Sequence, residues 1–418
     1  MQHFLWGKVV LVLVAVVAIL QVVHLVLLSR LESRHHRHDE QTDPVSSSGN
    51  EVDAAFAILA RNLHQGRVLD ASGEYQVVPN LALGTRMPAV RSLGALPDVT
   101  LVTQCSYNHL YSIVPLVQRW QGPISVAVFA EEHDLSEALW AIVGLRLCHT
   151  EVRQNVSFQL VSPLLAGGHP PLTAPPDSTS PCHLKRTQRP DQHNYAGSHS
   201  FPNNLLRNVA RRGVATEFVL VVDVDMLPSA NLRQDFYNFA VKSRLFSESR
   251  REDKTVYVVP AFEVRENVPA PRIKAELLQL ADKGDLRPFY IELCWKCQVH
   301  TDYEAWQKEP PSSGLSPLFE VLWKDPWEPF YIARNSVPFY DERFKQYGFN
   351  RISQVCELHV AGYKFSVLNN GFLVHRGLKT TSSFHLNKDL DQERNRLLFR
   401  QFKVELREKY PESSRRCY

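Results

Sequence analysis

Asp223 and Asp225, separated by Val224, are the residues whose type and spacing point most directly to chemistry. They follow Phe218-Val219-Leu220-Val221-Val222, a continuous apolar run of the kind that forms a central strand buried on both faces. If the chain stays extended, carboxylates at i and i+2 point the same way. Ligands of open α/β sheets bind outside the carboxyl ends of strands, and this pair falls at such an end. Hard divalent cations prefer oxygen ligands of this type and usually link carboxylates to phosphates. A cation held there would neutralise charge on a departing diphosphate. The plainer reading is an acidic turn after a strand, and an isolated pair of acids carries little weight by itself.

The surrounding pattern provides a frame for such a site. Residues 99–103 read as a buried strand, 110–120 have helical spacing, and 124–129 form a second strand. A helix over 135–147 and a strand over 157–161 continue the alternation, which is that of a doubly wound α/β sheet. Residues 163–192, rich in Pro, Gly, Ser and Thr, read as a surface insertion. After it the pattern predicts a helix over 204–212, a strand over 255–259 and a helix over 352–361. The folded region is expected to begin near residue 97, with a short amphipathic helix over 51–63 ahead of it. No internal repeat is visible.

The chain has 418 residues, 44% of them hydrophobic, ample for a large core. With 47 basic and 44 acidic residues the formal charge is only +3, which does not imply nucleic acid as a partner. Residues 9–28 read VVLVLVAVVAILQVVHLVLL, long enough to span a bilayer and without a small-residue cleavage site. The expectation is an uncleaved signal anchor, with a tail over 1–8, a polar stem and lead-in over 29–96 and the main domain over 97–418. The flanking charges, Lys8 before the span and Arg30, Arg34 and Arg37 after it, do not favour a lumenal C-terminus. The rest of the chain outweighs them with a lumenal character, including the glycosylation sequon Asn155-Val156-Ser157. His35, His36 and His38 read as part of a solvated stem. The seven cysteines are Cys105, Cys148, Cys182, Cys294, Cys297, Cys356 and Cys417; in an oxidising lumen some pair and one is left over. Cys294-Trp295-Lys296-Cys297 has no second CxxC to complete a zinc site and no thioredoxin context, so a structural role is expected.

Several long strings are more specific than the acid pair. They are FPNNLLRNVA, VLVVDVDMLPS, VVPAFEVR, LRPFY, DPWEPFY, DERFKQYGFNRISQVCELHVAGYKF and VLNNGFLVHRG. Together they resemble the beta-1,4-glucuronyltransferases of the dystroglycan O-mannosyl glycan pathway, which are similar to the C-terminal domain of LARGE-type xylosyl/glucuronyltransferases. The resemblance runs from about residue 90 to Cys417. It implies an α/β, GT-A type nucleotide-sugar-binding fold with a central, mostly parallel sheet, preceded by a single transmembrane helix. It also implies UDP-glucuronate as donor, Mn2+ as cofactor and a xylose-terminated O-mannosyl glycan of alpha-dystroglycan as acceptor. The product would be a glucuronyl-β1,4-xylosyl primer for LARGE-type enzymes, one of which is a plausible partner. The setting would be the Golgi membrane, type II, with the catalytic domain in the lumen.

Under that resemblance Asp223 and Asp225 match the metal-binding motif, and His375 in GFLVHRG is the expected third ligand. Arg207 and Lys379 are candidates for the diphosphate, each with a structural or solvated alternative. A donor carboxylate needs a cation, for which Arg265, Lys274, Arg351 and Arg376 are available. Inversion at the donor carbon requires a general base. Many GT-A enzymes carry a Glu-Asp pair after an aromatic-Gly turn, but here Tyr347-Gly348-Phe349 is followed by Asn350-Arg351. Glu357 is the expected base, with Asp325 and Glu328 as alternatives; Glu357 can instead brace its helix. Trp323 and Trp327 offer faces for a sugar or for ordinary core packing. Two rival functions are transfer of N-acetylglucosamine and a non-catalytic role supporting another Golgi glycosyltransferase.

Overall fold

The structure, a computed structural model, describes residues 48–87, 95–164, 172, 182, 199–381 and 387–418. The chain divides between Glu51 and Val52; of the first unit only helical residues 48–51 are described, and the sheets and the site all belong to the second. Among the described residues no helix is long and apolar enough to cross a membrane; the expected span over 9–28 lies outside them. Most of the Pro-rich insertion lies outside them as well.

In chain order the first strands are β1 (Val68–Leu69), β2 (Tyr75–Ala82), β3 (Leu96–Ser106), β4 (Ile124–Phe129), β5 (Val156–Pro163), β6 (Thr216–Val221) and β7 (Met226–Pro228). They are followed by β8 (Thr255–Val258), β9 (Ala261–Val264), β10 (Leu286–Pro288), β11 (Ser316–Val321), β12 (Tyr331–Arg334), β13 (Lys364–Asn369) and β14 (Leu373–Arg376). Ten of them form one sheet in the order β1-β2-β5-β4-β3-β6-β12-β8-β13-β11, and four form a second, β10-β9-β14-β7.

Helices cover both faces of the large sheet, because its central strands are apolar on both sides. In β4, Ile124, Val126 and Val128 pack with Leu116, Leu139 and Ile142 of the helices Ile113–Trp120 and Leu135–Cys148. The alternate residues Ala127 and Phe129 pack with Leu205, Leu206 and Val209 of the helix Asn203–Arg212. That is the period-two division expected of a strand sandwiched between two layers. Each such aliphatic side chain contributes about 1.5–3 kcal/mol when buried, so the two faces together anchor the sheet.

Two expectations need correction. The sheet is mixed, not mostly parallel. Parallel pairing joins β5-β4-β3-β6 and β8-β13, whereas β1-β2, β2-β5, β6-β12, β12-β8 and β13-β11 are antiparallel. A short buried run such as Tyr331-Ile332-Ala333-Arg334 carries no sign of its direction, and β12 inserts antiparallel between β6 and β8. The fold also begins well before residue 97. The helix Ser48–Gln65 contributes Val52, Phe56, Leu59 and Leu63 to the core, and β2 extends the sheet along β5.

The cysteines divide as expected, with Cys148–Cys182, Cys294–Cys297 and Cys356–Cys417 bonded and Cys105 free and buried.

Candidate active site

Because β5, β4, β3 and β6 run parallel, their carboxyl ends share one rim, and the acid pair lies just beyond β6. The strand ends at Val221, and a hydrogen bond from the Met226 amide to the Asp223 carbonyl (3.0 Å) closes a turn over the two acids. The chain is therefore not extended there, and the carboxylates diverge. This corrects the expectation that they point the same way.

Asp223 faces the neighbouring strand and two helices. Registry of β3 with β6 sets Val102 beside Val221, so Gln104 lies next to Asp223 and its Nε2 donates to Oδ1 at 3.3 Å. Arg207 Nη2 donates to the same oxygen at 3.3 Å, and Arg351 Nη2 donates to Oδ2 at 2.8 Å. Burial acts to raise the Asp223 carboxyl, but Arg351 and then Arg207 outweigh it and hold it below the usual carboxylate range.

Asp225 faces the small sheet. β7 follows the turn directly and pairs with β14 so that Met226 lies opposite His375. This brings His375 Nε2 to 3.0 Å from Asp225 Oδ2, and Lys379 Nζ to 3.6 Å from the same oxygen. His375 Nδ1 lies 2.7 Å from the Gly377 carbonyl and donates to it, which fixes the ring and aims Nε2 at the carboxylate. Here too burial acts upward, while His375 and then Lys379 hold the Asp225 carboxyl far below its ordinary value.

The supports of these groups are built into the surrounding loops. Arg207 Nη1 donates to Asn204 Oδ1 (2.9 Å) and Asn350 Oδ1 (2.8 Å), joining the helices Asn203–Arg212 and Asn350–Val360 at their first turns. The turn before Asn350 places Gly348 at φ 88° and Phe349 at φ 59°. Glycine meets the first at no steric cost; phenylalanine in the left-handed region is strained and must be held. Asn395 holds it, donating to the carbonyls of Lys345, Tyr347 and Gly348 at 2.8–2.9 Å. Glu263, wholly buried in β9, accepts from the amides of Tyr290 and Lys379 (both 3.2 Å) and from Arg287 Nε (2.5 Å). Arg287 in turn donates to the Lys379 carbonyl at 3.1 Å, so the backbone of Lys379 is fixed at both ends.

Of the residues expected at the site, Asp223, Asp225, His375, Arg207 and Lys379 come together. They do so as two groups, and among the described residues no three His, Cys, Asp or Glu side chains converge as a metal site. Asp225 and His375 fit a divalent cation as one oxygen and one nitrogen ligand. Asp223, the other expected carboxylate ligand, is turned to guanidinium partners by the turn.

Glu357 does not join the site, correcting its assignment as base. Its Oε1 accepts from Lys409 Nζ (2.6 Å) and Tyr410 hydroxyl (2.9 Å) at the end of the last helix, Lys388–Lys409. Glu328 does join it. Burial raises its carboxyl, Asp223 and Asp325 add to that, and Arg351 and Arg207 oppose it, so it shares the field of the same groups. Among the described residues no hydrogen bond is made to its carboxylate.

Arg265 is paired with Asp285 at 3.3 Å. Lys274 is buried elsewhere, donating to Trp306 carbonyl (2.7 Å) and Asn369 Oδ1 (2.6 Å). Trp323 and Trp327 are buried core residues, so the packing role holds for both. Asn155 ends the helix Thr150–Asn155, and Ser157 of its sequon is buried in β5, accepting from the Gly84 amide at 3.1 Å.

Gln104 and Glu263 were missed by sequence reasoning. A polar or charged residue inside an apolar strand was the available signal in both cases. Gln104 Oε1 is buried and lacks a hydrogen-bond partner among the described residues, which leaves one acceptor beside Asp223; Thr103 Oγ1, also unpartnered among them, points to the opposite face of β3.

Comparison with known proteins gives a consistent result. A family model described as a glycosyl-transferase for dystroglycan matches residues 98–411. The chain is 42% identical over 385 residues to Beta-1,4-glucuronyltransferase 1 of Homo sapiens, covering 88% of each chain. It is 42% identical over 383 residues to Beta-1,4-glucuronyltransferase 1 of Danio rerio, covering 86% of this chain and 85% of the relative. Similarity to Xylosyl- and glucuronyltransferase LARGE1 of Mus musculus is 28% over 312 residues, covering 74% of this chain and 35% of that one.

Proposed function

The chain belongs to the family of glycosyltransferases for dystroglycan, and on that premise we propose that it moves glucuronate from UDP-glucuronate to a xylose-terminated O-mannosyl glycan of alpha-dystroglycan. The observation that carries this reading is the turn after β6, where Asp223 and Asp225 are each faced by two cationic or imidazole side chains. A carboxylate and an imidazole that can hold a divalent cation, set near Arg207, Arg351 and Lys379, suit a diphosphate. The unpartnered Gln104 acceptor beside Asp223 suits a donor on the rest of a nucleotide.

The reaction is read as a single displacement in a fold of GT-A type. The acceptor hydroxyl oxygen attacks the anomeric carbon, its proton passes to the Glu328 carboxylate, and the bond to the diphosphate breaks, inverting the configuration. Arg207 and Lys379 bind the diphosphate, and Arg351 and the exposed Arg376 are the cations available to the donor carboxylate. Asp225 and His375 would hold Mn2+, with Asp223 beside them, and the ion would supply charge to offset that on the leaving group.

The three disulfides suit an oxidising compartment, in keeping with a Golgi type II protein whose catalytic domain is lumenal. N-glycosylation at Asn155 belongs to the same reading, and would precede the folding of Ser157 into β5. A LARGE-type glycosyltransferase extending the product is the expected partner.

The test uses the purified chain, a β-xyloside and a panel of UDP-sugars, with Mn2+ or with chelator. Mn2+-dependent product from UDP-glucuronate is the expected result. Product from UDP-N-acetylglucosamine instead would overturn the donor assignment, and no product from any donor would favour a supporting, non-catalytic role.

A further inference from the structure

We propose that Trp295 is a platform on which the acceptor saccharide stacks, held out beside the active site by the Cys294–Cys297 disulfide. The inference rests on the reading of the chain as a transferase acting on a saccharide acceptor. Trp295 is 58% exposed, whereas Trp120, Trp306, Trp323 and Trp327 are at most 3% exposed. Trp140, half-buried, stacks on Phe56 with ring centroids 4.9 Å apart. Among the described residues the Trp295 indole meets no aromatic ring, cation or hydrogen-bond partner. An indole left in water within a fold that packs its other described tryptophans points to a ligand.

The segment that carries Trp295 is fastened to the site on both sides. Before it, Tyr290 amide donates to Glu263 Oε2 (3.2 Å), the oxygen that also accepts from the Lys379 amide. Tyr290 hydroxyl lies 2.6 Å from that of Tyr347, at the turn that positions Arg351. After it, the Cys297 carbonyl accepts from the amide of Glu328 at 3.0 Å. Between these anchors the Cys294–Cys297 bond closes a loop around Trp295 and Lys296, and Cys294 amide donates to the Tyr290 carbonyl at 2.9 Å. The disulfide thus takes freedom from the backbone that bears the ring.

The ligand class follows from what the rest of the site lacks. The groups around Asp223 and Asp225 are charged and suit the donor. An uncharged pyranoside instead presents a face of C–H bonds beside its hydroxyls, and an indole matches that face at low conformational cost. The Trp295 ring, joined through Cys297 to the Glu328 backbone, offers such a surface.

The experiment compares the intact chain with Trp295→Ala and Trp295→Phe, using a β-xyloside acceptor and UDP-glucuronate. Trp295→Ala is expected to raise the acceptor KM on the order of tenfold, a loss of about one stacking contact. Donor KM, acceptor-independent hydrolysis of the donor and thermal stability should stay as in the parent, and Trp295→Phe should recover most of the affinity. The double variant Cys294→Ser/Cys297→Ser should raise acceptor KM in the same direction by less. An unchanged acceptor KM in Trp295→Ala, with the parent active, overturns the platform and leaves the transferase reading intact. If the parent transfers to no xyloside, indole fluorescence titrated with the β-xyloside decides: quenching lost in Trp295→Ala keeps the platform, and no quenching in the parent removes it.

Discussion

Two carboxylate clusters lie at opposite ends of the helix Asn350–Val360 and its neighbours, and they differ in kind. At the far end Glu357 is 3% exposed and fully engaged, with Lys409 and Tyr410 converging on one oxygen. At the near end Asp223 and Asp225 have side chains 31% and 45% exposed, and cations and imidazole outnumber them. The first cluster is complete within the protein; its ion pair and hydrogen bond fasten the last helix to the fold. The second has open carboxylates, surplus positive charge and an unpartnered acceptor on Gln104. Burial and pairing by themselves do not mark a site. An imbalance that a ligand would correct is the better sign.

Substitutions at the two ends should separate them sharply. Asp225→Asn removes the carboxylate that faces His375 and Lys379, and should lower kcat/KM by at least about 100-fold in the UDP-glucuronate assay. Chelation should lower activity of the parent as far, and should add little to the loss in Asp225→Asn. If Asp225→Asn retains full activity, the near cluster is no more functional than the far one.

Glu328→Gln should come next in size, with kcat lowered on the order of 100-fold and donor KM little changed. The pH profile gives an independent check. Only the ionised carboxylate accepts a proton, and burial raises its pKa, so activity should climb with pH above the ordinary glutamate value of about 4.3. A parent profile flat across that acid limb would remove Glu328 as the base.

Arg207→Lys should have a smaller effect, raising donor KM about tenfold, because an ammonium cannot span Asn204, Asn350 and Asp223 together. The smallest effect on catalysis is expected from Glu357→Gln, with kcat/KM within about threefold of the parent and a stability loss of about 1–3 kcal/mol in denaturant unfolding. A large loss of activity in folded Glu357→Gln protein would erase the distinction between the clusters.

Much of the first half of the chain was legible from residue order. The runs over 99–103, 124–129 and 157–161 each fall on a strand, as does 218–221 just past the midpoint, since strands buried on both faces are written as unbroken apolar text. The second half was harder to read. Its strands are short, and β12 is antiparallel. In the first half β2 was an exception, falling within the expected stem and lead-in over 29–96; Pro79 and Asn80 interrupt its pattern. Asn80 sits at φ 57°, where the β2–β5 register shifts between Val78 and Ala82, so the interruption is an irregularity within the strand and not its end.

Residue order alone dictated where an acidic pair would leave a buried strand, and its long strings carried the family. It did not dictate how those acids point or which glutamate attends them. Arg351 reaches Asp223 across 128 residues, His375 reaches Asp225 across 150, and Lys409 reaches Glu357 across 52. Such meetings are set by strand register and helix placement, not by local spacing. A single turn, closed from Met226 to Asp223, was enough to separate carboxylates that extended geometry would have aligned. A contact with the last helix was enough to make Glu357 structural.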